Sequence, residues 1–378
     1  MEIRRTQGFP VRRVLFQGNG YRGYLTLKCL NAVICGGSGT EAWLHARAYE
    51  GVDTARAHGV YSEGGGGADA RAAAWGLTAY DSFKRVISDP AVHIVELLEP
   101  MPGRTDAALA ALDAGKHVLM GAPFAWSTAQ AERLAAAARK QGRLLMCHEN
   151  WLFYPPVRKV MNLVRKKSVG RVTGLRMRTI IAGQGGWDAD LNPRFKAAEE
   201  TAPGTEPDYP AMLFRDAYEK LSLALRLFGP IEEIHSVSPG APHGRGASVI
   251  TWKHRAHGTY GVLETVLAPD MKIRSAYDPR DDVMELTGSA GIIWVKRGAS
   301  QMRQEPAVHA IRGENRFAYG NLDDDWMSGY AECARHFAEC AANARNASPA
   351  VSPAHSAAAV AAAEAAARSA ETGRRVSL

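Results

Sequence analysis

The sequence predicts an α/β protein: an N-terminal domain built on a parallel sheet, then a C-terminal α/β domain with a large, mostly antiparallel open sheet. Three observations carry this. Between residues 31 and 148, short apolar runs alternate with helix-forming segments, the pattern of strand-helix-strand units with right-handed crossovers. The first strong strand signal ends in a cluster of glycines. Beyond residue 150, strand-like runs follow one another with short turns, which favours antiparallel pairing.

The elements follow in order. "NAVICGG" (31–37) reads as a buried strand and "TEAWLHARAYEG" as a helix. "ARAHGVYSE" is a weaker strand, and "EGGGGADARAAAWG" a glycine-rich entry into an Ala-rich helix. "DSFKRVISD" reads as a short helix capped by Asp81. "VHIVELLEP" is a third strand, followed by a helix that Gly115 stops. "HVLM" (117–120) leads into a Gly-Ala-Pro turn, and Ser127 with Gln130 three residues on forms a capping box for the next helix. "RLLMCHEN" closes the parallel series. The chain then turns to a helix with Val157, Val160, Met161 and Val164 on one face, a strand at "RVTGLRMRTII", and a helix near 209–228. Six strand-like runs follow between 231 and 297, and two helices finish the chain, the last Ala-rich.

The hydrophobic share of 46% over 378 residues supplies cores for two domains, expected at 1–150, with 1–30 as an atypical extension, and 151–378. The net charge of +7 is dispersed and accompanied by no nucleic-acid motif, so no nucleic-acid partner is expected. No window is apolar enough to span a bilayer, and "MEIRRTQGFPVRR" lacks a signal-length apolar run. The five cysteines, at 29, 35, 147, 333 and 340, have no close metal-ligand spacing, and their odd number argues against a full disulfide framework. A reducing cytoplasm is the expected compartment. His254 and His257 have no carboxylate or cysteine nearby to complete a metal set, so no metal is expected.

Gly37, Gly39 and Ala42 have the G-x-G-x-x-G/A spacing of a Rossmann-like dinucleotide-binding turn. Gly37 makes the turn, Gly39 lets the backbone approach a pyrophosphate, and the following helix offers free N–H groups. Glu63, at the end of the second strand, suits a ribose 2′-OH and favours NAD over NADP; Arg56 and Arg71 argue the other way. A rival loop holds Gly18, Gly20 and Gly23, but "YLTLKCL" behind it is short for a crossover helix.

From about residue 30 onward the chain resembles the Gfo/Idh/MocA oxidoreductases. The pieces that carry the resemblance are "HARAYEG", "YDSFKRVISDPAVHIVELLEP", "ALAALDAGKHVLMGAP", "ENWLFYPPVRKVMNLVRKKSVGRV", "VMELTGSAGIIWV" and "SAETGRRV". The resemblance implies NAD or NADP, a hydroxyl or carbonyl of a sugar-like substrate, and a homodimer or homotetramer formed through the C-terminal sheet. It also implies a lysine in Glu-Lys-Pro and an Asp and His four apart on a helix. Here those positions read Gly121-Ala122-Pro123, and Asp216 with Lys220. The expectation is therefore an atypical member lacking both the lysine and the active-site histidine. Pro100 and Pro123 would border the cofactor, and Glu99 would face its nicotinamide side.

Hydride transfer needs a group that gives or takes the hydroxyl proton. Asp216 and Lys220 share a helix face and are the first candidates, against a merely solvated ion pair. His148, ending a strand beside Glu149, and Glu99 are the others. Arg104, Tyr154, Tyr218 and a loop carrying Trp187, Asp188 and Arg194 are candidates for substrate contact. Three functions stay open: a nicotinamide-dependent oxidoreductase with an altered proton relay; a lyase, cyclase, isomerase or hydrolase on the same scaffold; and a catalytically silent partner or sensor.

Overall fold

The computed structural model describes residues 11–18, 21–37, 39–63, 67–99, 101, 103–186, 209–238, 248–256, 258–296, 305–343 and 349–378. An antiparallel hairpin comes first, β1 (Val11–Gly18) with β2 (Tyr21–Lys28), in register from Val11 opposite Lys28 to Gly18 opposite Tyr21. Gly18 and Gly23 therefore belong to a hairpin, while Gly20 lies outside the described residues. No helix follows this loop, which leaves Gly37 and Gly39 as the glycines at a strand-to-helix turn.

The first large sheet is parallel and six-stranded: β3 (Leu30–Cys35), β4 (Ala55–Tyr61), β5 (Thr78–Tyr80), β6 (Ile94–Leu97), β7 (His117–Gly121) and β8 (Leu145–His148). Its order is β5-β4-β3-β6-β7-β8, so the winding reverses between β3 and β6. A ligand crevice opens at the carboxyl ends of strands at such a reversal. β3, β6, β7 and β8 are buried along their whole length, as expected of strands covered on both faces. The covering helices are α1 (Gly39–Ala48), α2 (Ala68–Trp75), α3 (Phe83–Ser88), α4 (Arg104–Asp113) and α5 (Thr128–Gln141). Ser82, rather than Asp81, caps α3 by accepting from Arg85 N–H. At α5 the capping pair forms: Ser127 accepts from Gln130 N–H, and the Gln130 side chain accepts from Trp126 N–H.

The short α6 (Asn150–Phe153) and α7 (Pro155–Arg165) lead to the second sheet. It has nine strands: β9 (Val172–Gly185), β10 (Ile231–Val237), β11 (Ser248–His254), β12 (Tyr260–Ile273), β13 (Arg280–Gly288), β14 (Gly291–Val295), β15 (Val308–Arg312), β16 (Asn315–Tyr319) and β17 (Val376–Ser377). All neighbours are antiparallel except β9 with β12. The long helix α8 (Tyr209–Phe228) packs against this sheet and against the chain's last helix, α10 (Pro353–Thr372). α10 touches α5 and β8 as well, and α9 (Trp326–Ala342) packs on α1, α6 and β8. The C-terminal helices thus bind the two sheets together. The small residues Ala359, Ala362, Ala363 and Ala366, all fully buried, let α10 approach its neighbours closely.

Candidate active-site cleft

The glycine turn ends β3. Gly36 and Gly37 adopt φ of 79° and 80°, the left-handed region where a side chain is strained. A Cβ on Gly37 would also stand 3.0 Å from Leu98 Cδ1. Gly39 begins α1, and Ala42, one turn in, packs with Ile34, Val60 and Leu98. Arg71 is buried beneath the turn and donates to the Gly37 carbonyl at 3.4 Å. Glu63 is exposed just past the carboxyl end of β4, whereas Arg56 sits at its amino end and donates to Asn31. A dinucleotide fits this cradle: backbone can approach closely at Gly37, and the first N–H groups of α1 face it.

The turn after β7 contains a cis Ala122–Pro123 bond. Arg104, 4% exposed, supports it by donating to the carbonyls of Gly121 and Pro123. Arg104 also pairs with Glu99 at 2.9 Å, and Trp126 Nε1 donates to Glu99 at 2.7 Å. Glu99 therefore ties the end of β6 to the turn after β7. Pro100 lies outside the described residues.

Beneath the crevice is a buried polar cluster. Glu96, fully buried on β6, meets His45 Nδ1 at 2.6 Å and His148 Nδ1 at 3.0 Å, and it accepts from the Tyr49 hydroxyl at 3.0 Å. The ring of Tyr330 lies against both histidines. Burial alone would push the Glu96 carboxyl up, but the two histidines outweigh it and hold it down at about 2. Burial, helped by the charge of His45, pushes His148 down to about 4. The donor atoms of His45, Glu96 and His148 lie within 4.8 Å of one another, a set of the kind that holds a metal. The pairs are 51 and 52 residues apart, so no spacing motif reveals them. The one signal was a glutamate inside the apolar run of "VHIVELLEP".

Glu149 heads a second buried network, accepting from Tyr218 at 2.8 Å and from Ser222, which in turn meets His355. Burial raises the Glu149 carboxyl to about 7 against these hydrogen bonds. An acid raised on folding loses stability as pH climbs from its unfolded value of 4.5 through about 7. Glu149→Gln removes that loss, on the order of 3 kcal/mol. Thermal unfolding at pH 5 and pH 8 is expected to show a smaller fall for the variant than for the wild type; equal falls would rule out an ionisable Glu149 as the cause.

The cleft itself is a pocket of ≈ 270 Å³ between the start of α1 and the second sheet. Thr40, Glu41 and Leu44 line one side; Arg215, Glu219 and Lys220 of α8, with Asp278, Arg280 and Asp282, line the other. Trp151, Tyr277, Trp326 and Tyr330 complete it. Asp216 and Lys220, although four apart, do not pair with each other. Asp216 bonds Arg280 at 2.7 Å, and Lys220 bonds Asp282 at 3.0 Å. Asp282 also accepts from Thr179, and Lys220 Nζ sits 3.6 Å from the centre of the Trp151 ring. Both α8 residues are buried, at 7% and 5% exposure, so this is no solvated ion pair.

The other candidates are placed as follows. Tyr154 is fully buried and donates to the Asp324 carbonyl. His254 uses both ring nitrogens, toward Gly229 and Trp252. Trp187, Asp188, Arg194 and His257 lie outside the described residues. Glu219, Asp282, Arg280 and the aromatic walls were not legible as site residues, because they converge from α6, α8, α9, β13 and the segment leading into β13.

Fold and cleft together define a class: an α/β protein whose first sheet carries a dinucleotide-binding turn and whose second sheet closes the crevice. Within it, residues 30–149 match the Gfo/Idh/MocA model, described as an oxidoreductase family with an NAD-binding Rossmann fold. A dehydrogenase of Aspergillus oryzae, aclE, is 36% identical over 108 residues, 28% of this chain and 30% of that protein. Trans-1,2-dihydrobenzene-1,2-diol dehydrogenase of Xenopus laevis is 33% identical over 98 residues, 26% of this chain. The matching stretch spans only 30% of either relative's length. The fold extends further. An oxidoreductase from Agrobacterium radiobacter, solved in complex with NAD+, L-tartaric acid and magnesium, superposes over 92% of this chain and 98% of its own. The TM-score is 0.73 at 15% identity.

These findings correct one expectation. The chain was expected to be an atypical member stripped of its active-site histidine. Its first domain matches the family model, and a histidine pair on a carboxylate, His45 and His148 on Glu96, is intact. The expectation followed a four-residue helix spacing, whereas this set is assembled from α1, β6 and β8.

Proposed function

We propose that this protein is an NAD(P)-dependent oxidoreductase acting on a hydroxyl or carbonyl of a small polar, sugar-like or secondary-metabolite substrate. One observation carries the reading: the first turn of α1, next to the glycine cradle, and Lys220 line the same pocket. A bound nicotinamide supplies or takes the hydride. Lys220 gives its proton to the carbonyl oxygen during reduction and recovers it during oxidation, with Asp282 fixing its ammonium. Asp216 positions Arg280 on the pocket wall. Arg104, Tyr154 and Tyr218 act as positioning residues, since each is buried with polar atoms bonded to protein.

Exposed Glu63 favours NAD over NADP, because a carboxylate repels a 2′-phosphate. Residues 1–150 are the proposed dinucleotide-binding unit, and 151–378 the substrate-binding and oligomerisation unit. Exposed Val237, Val249, Tyr260 and Phe317 on the second sheet support pairing of two or four copies through it. Cys35, Cys147, Cys333 and Cys340 are buried free thiols, and Cys29 is buried as well, which suits a reducing cytoplasm. No helix of the described residues is long and apolar enough to cross a membrane.

Calorimetric titration with NAD and with NADP tests the reading. Saturable binding of NAD, at least tenfold tighter than NADP, is expected, and binding of neither overturns it. A non-redox activity on the same scaffold is the second reading. It is favoured by Glu99, held by Trp126 and Arg104 on the side that a nicotinamide would occupy. It predicts turnover without any change in nicotinamide absorbance.

A further inference from the structure

The pocket's charges point to a narrower class of substrate. Glu41, Glu219, Asp278 and Asp282 outnumber Arg215, Lys220 and Arg280. Each cation already faces a carboxylate: Lys220 has Asp282 at 3.0 Å, Arg280 has Asp216 and Asp278 at 2.7 and 2.5 Å, and Arg215 has Glu41 at 3.9 Å. An anionic substrate would find each of these three cations of the described lining already facing a carboxylate. Glu219 differs. It makes no hydrogen bond or contact ion pair among the described residues, and burial raises its carboxyl although Lys220, Arg215 and Arg280 act on it at longer range. A half-buried carboxylate with no contact partner among the described residues gains from an incoming cation.

The walls suit the same guest. Trp151, Tyr277, Trp326 and Tyr330 surround the space, and aromatic faces attract ammonium groups. Trp151 already does so with Lys220 Nζ at 3.6 Å. We propose that the cleft recognises a substrate bearing a protonated amine near the reacting hydroxyl or carbonyl, an amino sugar or aminated polyol, with the ammonium bound by Glu219 and the aromatic wall. This rests on the oxidoreductase reading only for the reacting group; the amine preference is a property of the pocket alone.

The test is calorimetry at pH 7 with glucosamine, N-acetylglucosamine, glucose and glucuronate, with and without NADH. Glucosamine is expected to bind at least tenfold more tightly than glucose or N-acetylglucosamine, and glucuronate not to bind. In Glu219→Gln the preference should fall below threefold, while the exposed control Glu132→Gln keeps it. Thermal unfolding of both variants separates lost recognition from lost fold, and a wild-type melting temperature for Glu219→Gln is expected. Equal binding of glucose, tighter binding of glucuronate, no binding of glucosamine, or a preference that survives in Glu219→Gln overturns the proposal. Failure of NAD and NADP to bind while the amine preference holds would overturn the redox reading instead.

Discussion

Replacing Lys220 with methionine is expected to lower turnover by about 10²–10⁴-fold, the usual worth of a positioned proton donor. Nicotinamide binding should change less than threefold, because Gly37, Gly39 and the start of α1 are untouched. Lys220 qualifies on geometry. It is 5% exposed, reaches the pocket and is held from two sides, by Asp282 at 3.0 Å and by the Trp151 ring. Methionine keeps most of the apolar stem but leaves Asp282 without its cation, so some stability is lost as well. Lys220→Arg preserves charge while moving the donor and separates these effects. It should fold like the wild type yet turn over slowly, since a guanidinium does not release its proton at neutral pH. Turnover of the methionine variant within threefold of wild type would remove Lys220 from the reaction.

Glu96→Ala is expected to cost about 3–5 kcal/mol of folding stability, because it strands buried polar partners. His45, His148 and Tyr49 each lose a bond to this carboxylate, in a place water does not reach. The pH dependence carries the same signature. Glu96 lies near 2 in the folded protein against 4.5 unfolded, so its stabilisation is complete above pH 4.5 and lost as pH falls toward 2. His148 acts higher on the scale. Folding lowers it from 6.5 to about 4, so protonation of the unfolded chain erodes stability as pH falls between those values. Glu149 opposes this trend between pH 7 and 4.5, so urea unfolding at pH 7.5, 6, 5 and 4 in a Glu149→Gln background, where that carboxyl is gone, should show stability falling with acid. The alanine variant should start several kcal/mol lower. A variant as stable as the wild type at pH 7.5 would mean the cluster contributes nothing to the fold.

The first sheet was legible because local rules suffice there. A buried parallel strand must be apolar along its whole length, a helix start needs a cap, and the turn at Gly37 needs positive φ; each leaves a mark within a few residues. Asp216 and Lys220 were nameable as candidates for a similar reason, since they lie one turn apart on α8; Lys220 lines the pocket and Asp216 bonds Arg280 on its wall. Their partners were not. Asp282 and Arg280 come from β13, Trp151 from α6, and Tyr330 from α9, and nothing in the chain's order announces that these meet.

The amino-acid sequence by itself determined the class of fold, the glycine turn and the Gly121-Ala122-Pro123 turn, because each is written in neighbouring residues. Only the tertiary structure decided which groups share a bond. It separated Asp216 from Lys220, turned Arg104 into a brace for the turn after β7, and gathered His45 and His148 around Glu96. Side-chain pairing depends on distances of a few ångströms between segments far apart in the chain, and those distances are set by how the two sheets and the C-terminal helices pack.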